Sequence, residues 1–111
     1  MITIPVYDMI ILPDIVYYFK SDVFQELNIE DARKDEEVLF LMLKEDKMRS
    51  EMTADDFYPI GVSGRFQSRD ENGVISVRTT ERVNVLQVNV TEDEIVASIT
   101  LREDLEDLSQ E

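Results

Sequence analysis

Apolar positions along this chain mostly alternate, and only one stretch holds them at helical spacing. Ile2, Ile4 and Val6 alternate with Thr3 and Pro5, which predicts a half-buried strand. Pro5 has no N–H to give to a ladder, so the strand belongs at an edge or a bulge. Ile10, Ile11 and Leu12 carry the apolar run on to Leu12-Pro13-Asp14, where the chain turns. Ile15-Val16-Tyr17-Tyr18-Phe19 is β-branched and aromatic, hence extended. Ser21 reads as an N-cap with Asp22 in the first turn. Val23, Phe24, Leu27 and Ala32 then predict a short helix between roughly 22 and 35. Val38-Leu39-Phe40-Leu41-Met42-Leu43 shows no alternation, the pattern of a strand buried on both faces. Lys44–Phe57 is a polar loop holding one helical turn, Ala54-Asp55-Asp56, capped by Thr53.

The strongest pattern lies between Asp55 and Val85. Asn72-Gly73, between two extended stretches, predicts a hairpin with a type I′ turn, which needs positive φ at both central residues. With those two residues as the loop, Val62 faces Val83, Ile60 faces Val85 and Phe66 faces Thr79. Ile60, Val62, Phe66, Val77, Val83 and Val85 then share one face. Beyond Val85 the apolar phase slips by one residue to Leu86, Val88 and Val90, the mark of a β-bulge. Ile95, Ala97, Ile99 and Leu101 alternate strictly and form a last strand. The fold class is mostly β, with one or two short helices and five to six strands curled into a pseudo-barrel.

Composition narrows what such a sheet does. A chain of 111 residues is one domain, and 43% apolar residues supply a core without disulfides. With no Cys there is no thiolate chemistry, and with no His the commonest general base and metal ligand is missing. The longest apolar run, Met9-Ile10-Ile11-Leu12, is too short to span a membrane, and MITIPVYD lacks the basic start of a signal peptide. A cytoplasmic protein is expected. The net charge of −14 is uneven, because the stretch from Glu92 to Glu111 holds eight acids and one Arg. The domain is expected to cover 1–101, with 102–111 a solvated acidic segment that serves solubility. So acidic a chain disfavours nucleic acid, whose phosphates need a basic surface.

The 25 carboxylates make accidental pairs such as Asp55-Asp56 and Glu92-Asp93-Glu94. These fall in polar loops, where solvation keeps them ordinary, rather than in a buried setting that would split their pKa values. No EF-hand spacing is present. Gly61 to Gly64 has neither the spacing nor the Lys of a phosphate-binding loop. No catalytic residue, metal or cofactor is therefore assigned, and the chain is read as a non-enzyme.

The order of these segments resembles the amino-terminal domain of the Lon family of ATP-dependent proteases. IPVYDMIILPDIV resembles the family's opening strand between two prolines. SDVFQEL, EVLFLML and TADDFYPIG are similar to its short helix, buried strand and acidic loop ending in an aromatic residue. Gly61, Asn72-Gly73 and Arg82-Val83 match its glycine, hairpin turn and strand-opening arginine in order and spacing, and IVASITLREDLEDL resembles its last strand. The chain departs from the family at Thr80, where a glycine is usual, and at Tyr18, where a second proline is usual.

The resemblance implies a PUA-like pseudo-barrel that recognises unfolded or damaged protein substrates and helps assemble an oligomeric protease, without the ATPase and protease parts. PUA-like architecture also serves RNA-binding proteins, so an RNA-binding module is the alternative, beside a stand-alone protein-interaction domain. Unfolded chains offer apolar segments without fixed shape, so exposed apolar side chains in loops are their natural readers. Pro13, Ile15 and Tyr17 in one turn, and Met48 and Met52 in the Lys44–Phe57 loop, are the candidates. In the register above, Arg65, Arg69, Arg78 and Arg82 share the face opposite Val62 and Val83. They are the candidates for an assembly contact with an acidic surface, including self-association.

Overall fold

The computed structural model describes residues 2–20, 34–92 and 94–101. The expected helix between roughly 22 and 35 falls almost entirely outside them, as does the acidic segment 102–111. Among the described residues there are six strands: β1 (Ile2–Tyr7), β2 (Val16–Lys20), β3 (Glu37–Leu43), β4 (Phe57–Arg69), β5 (Val74–Val90) and β6 (Ile95–Leu101). They form one sheet in the order β1-β3-β4-β5-β2, with β6 also pairing β5. β1 runs parallel to β3, and every other pairing is antiparallel. β5 is long enough to serve two partners along one edge, β2 against its first residues and β6 against its last. The protein is mostly β, and among the described residues its only helical turns are the short 3-10 turns Arg49–Glu51 and Ala54–Asp56.

The sheet is strongly curled but not closed. β3 and β2 are separated by two strands in the order, so in a flat sheet they would stand about 14 Å apart. Instead the rings of Phe19 and Phe40 lie 5.6 Å apart, centroid to centroid. The curl explains how β3 is buried on both faces, as its unbroken apolar run predicts. Val38 and Phe40 join a first core with Ile2, Ile4, Val6, Ile11, Val62, Phe66, Ile75 and Val77. Leu39, Leu41 and Leu43 point the other way, into a second core with Phe57, Val83, Val85, Ile95 and Ala97. Close strand approach sets the glycines of β4. A Cβ on Gly61 would lie 2.6 Å from the carbonyl oxygen of Phe40, and one on Gly64 2.6 Å from that of Arg78.

The hairpin forms where expected, but its turn differs. Of the loop residues only Gly73 has positive φ, at 82°. The turn is closed by Gly73 N–H donating to the Asp70 carbonyl and by Asp70 N–H donating to that of Val74. That is a three-residue loop ending in a left-handed glycine, not the two-residue type I′ turn. Asp70 organises it, its carboxylate accepting the N–H groups of Asn72 and Val74. The extra loop residue moves the register by one. Gly61 faces Val83, Val62 faces Arg82, Ile60 faces Asn84 and, past a bulge, Phe66 faces Val77. The single apolar face predicted from the sequence is therefore two: Val62, Phe66 and Val77 enter the first core, Val83 and Val85 the second, and Ile60 is exposed.

Bulges reconcile these phases. Thr80 is the extra residue on β5 opposite Ser63 and Gly64, and Gln67 the extra one on β4. Thr80 stands where the resembled family has a glycine, yet its φ is not positive, and its hydroxyl lies 3.0 Å from that of Ser63. The expected slip after Val85 is a bulge in the β5–β6 pairing between Val85 and Gln87. It turns Leu86 out to solvent and returns Val88 and Val90 to the second core.

Candidate functional site

β1 and β2 lie at opposite ends of the strand order, so residues 8–15 must cross the curled sheet to join them. Aspartates at both ends of this loop hold left-handed backbone, Asp8 at φ 55° and Asp14 at φ 62°. Aspartate is among the few residues other than glycine that tolerate it. Ile11 drops into the first core and anchors the middle. Its neighbours then point outward: Met9, Ile10 and Leu12 are exposed, Ile10 to 79%.

Thr79 fixes the far end of the loop. Its buried hydroxyl donates toward the carbonyls of Leu12, at 2.6 Å, and Ile15, and accepts the Ile15 N–H at 2.9 Å. One side chain thus bridges the Leu12 carbonyl and the Ile15 N–H, the two groups that bond directly in an ordinary β-turn. The Thr79 backbone adds two bonds, donating to Ile15 and accepting from Asp14. Tyr17 braces the loop from below. Its hydroxyl accepts the Leu12 N–H at 2.8 Å and donates to the Ile10 carbonyl, while its ring packs on the first core. An apolar ridge is therefore held rigid by polar bonds beneath it.

The Lys44–Phe57 loop leaves the same end of the sheet, because parallel pairing sets Tyr7 beside Leu43. Asp56 is its organiser. Its carboxylate accepts from the Thr53 N–H at 2.7 Å, the Thr53 hydroxyl at 3.1 Å and Lys47 Nζ at 2.9 Å. The bond from Lys47, then that from Thr53, holds the Asp56 carboxyl below the usual carboxylate range, and the same pairing raises Lys47. This pair shapes the loop, and Arg49 ties the loop to the Thr91 carbonyl.

The sequence candidates divide on this geometry. Ile15 is exposed and Pro13 half-buried beside the ridge, and Met48 is 68% exposed. Tyr17 and Met52 are taken up by packing, against the first and second cores respectively. Sequence reasoning missed Met9, Ile10 and Leu12. Their run reads as a continuation of the first strand's apolar pattern, and only the aspartates on either side signal a loop. It also missed the exposed Tyr58, Ile60 and Leu86 along β4 and β5.

The four arginines do not form one row, because the register that gathered them is off by one. Arg65 and Arg78 stand directly opposite each other, whereas Arg82 faces Val62 and Arg69 faces Ile75. Arg65 donates to the Asp35 carbonyl at 3.0 Å, and Arg78 pairs with Asp14 at 2.7 Å.

Among the described residues no three acids converge as a metal site, and no helix is long and apolar enough to cross a membrane. No known family model matches the chain. A Lon protease of Clostridium beijerinckii (strain ATCC 51743 / NCIMB 8052) is 28% identical over 96% of this chain, which spans 14% of that protein's length. The chain is thus similar to a short part of a Lon protease.

Proposed function

We propose that this chain is a non-catalytic, PUA-like amino-terminal domain of a Lon-type protease that binds unfolded or damaged protein segments. The observation that carries this reading is the braced apolar ridge Met9, Ile10, Leu12 and Ile15, with Met48 on the neighbouring loop. Soluble domains leave single apolar side chains exposed, but a contiguous set on a loop pinned from beneath is what a binding surface requires. A ridge of exposed side chains reads apolarity rather than sequence, as a quality-control domain must. The likeness to a Lon protease supports the same reading. One domain binds weakly, and several copies in an oligomer gain by acting together on one chain. Arg65 and Arg78, exposed on adjacent strands, are the residues this reading retains for an assembly contact.

The test is binding of a fluorescently labelled, permanently unfolded polypeptide, followed by anisotropy, with the wild type and with Ile10→Ser/Leu12→Ser. The double variant should keep the thermal transition of the wild type and lose most of the binding. Unchanged binding would reject the ridge as the site. Salt-sensitive binding of RNA in place of polypeptide would move the domain to the nucleic-acid class.

A further inference from the structure

Resting on the peptide-binding reading above, the charges around the ridge point to a narrower substrate class. We infer that the ridge selects apolar segments flanked by lysine or arginine and discriminates against apolar segments flanked by acids.

The ridge is bounded by Asp8 and Asp14, and no basic side chain occurs before Lys20. Asp14 is paired with Arg78, whereas Asp8 has no ion pair among the described residues. The second loop leaves the same end of the sheet and brings more of the same sign. From Lys44 to Asp56 it holds five acids against three bases. Of those bases, Lys47 is neutralised by Asp56, Arg49 donates to the Thr91 carbonyl and Lys44 is exposed beside the Tyr58 ring, so the acids outnumber the bases by two. Glu45, Asp46, Glu51 and Asp55 are exposed on both sides of Met48. The chain as a whole carries −14, so the long-range field has the same sign as the local one.

An apolar segment that settles on Met9, Ile10, Leu12 and Ile15 therefore brings its flanking residues against carboxylates. Burial of the apolar part supplies the affinity and is indifferent to the flanks. The rim charges add attraction for cations and repulsion for anions, and repulsion is the stronger source of discrimination. The effect grows as salt is lowered, because the rim is solvated.

Four labelled peptides test this, three sharing one central apolar sequence flanked by Lys, Ser or Glu, and a fourth with Lys flanks around a Gly-Ser centre. In low salt the Lys-flanked apolar peptide should bind on the order of tenfold more tightly than the Glu-flanked one, and the ratio should shrink as salt rises. Asp8→Asn, and separately Glu45→Gln/Asp46→Asn, should reduce that ratio. Equal binding of the three apolar peptides would overturn the charge selection while leaving the apolar reading intact. Binding of none of them would overturn the peptide reading and the selection with it. Equal binding of the two Lys-flanked peptides would show bare charge attraction and overturn the selection at the ridge.

Discussion

Thr79 is fully buried, yet its hydroxyl and both of its backbone groups find partners in one turn, Leu12–Ile15. Thr79→Val keeps the shape and removes the bridge. It leaves the Leu12 carbonyl and the Ile15 N–H short of a partner, at a cost of about 1–3 kcal/mol. Thr79→Ser keeps the hydroxyl and should recover most of that loss in thermal melts. Limited proteolysis should cut the Met9–Ile15 stretch faster in the Val variant than in the Ser variant. Asp56 makes a pH-dependent contribution of known sign. Its folded pKa is depressed, so the stability it lends is present above the ordinary carboxylate value near 3.8 and fades as pH falls through the folded value. Lys47 is raised, so its share persists up to its ordinary 10.5 and is lost only as pH rises past the folded value. Amide protection in the Lys44–Phe57 loop, taken relative to the intrinsic exchange rate at each pH, should therefore fall below about pH 4 in the wild type. In Asp56→Asn that protection should be low already at neutral pH.

At the scale of elements, the hairpin shows what the pattern conveys and where it stops. Position and pairing partners of β4 and β5 are legible, because Asn72-Gly73 between extended stretches admits little else. The turn class is not, because Asn-Gly suits two loops of different length, and here Asp70 decides between them by holding the N–H groups of Asn72 and Val74. One extra loop residue reverses the side of every side chain that follows, so an error in the turn becomes an error in which core Val62 and Val83 enter. The bulge after Val85 was legible because apolar residues lie on both sides of the slip. Those at Gln67 and Thr80 sit among polar residues and leave no phase to read. The observed loop predicts an asymmetry. Gly73→Ala should cost about 1–2 kcal/mol, since alanine resists left-handed backbone. Asn72→Ala, at an exposed position without positive φ, should change stability by less than about 0.5 kcal/mol. Comparable losses at both positions in urea denaturation would indicate the type I′ turn instead.

Across the whole molecule, the curl of the sheet joins fold to proposed function. Because β2 swings round until Phe19 meets Phe40, the β1–β2 loop must bridge the opening, and only Ile11 fits inside while its neighbours remain outside. Phe40, buried where the curl closes, should be among the costliest residues to truncate. Phe40→Ala is expected to lose about 3–5 kcal/mol. The Lys44–Phe57 loop and a turn at Leu12-Pro13-Asp14 were legible in the sequence, but the full extent of the 8–15 loop and the division of labour within the two loops were not. Tyr17 reads as a contact residue and proves a brace, because the carbonyl and N–H it serves come from a backbone path that periodicity does not encode. Ile10 reads as part of a continuing apolar run and proves the most exposed large apolar side chain among the described residues. The central claim is that this ridge touches unfolded protein, and an NMR titration of the labelled domain with an unfolded polypeptide tests it most directly. Shifts should concentrate at Met9, Ile10, Leu12, Ile15 and Met48, with the buried strand β3 nearly silent. A titration that leaves those five unmoved, or moves only the Arg65–Arg78 face, would contradict it.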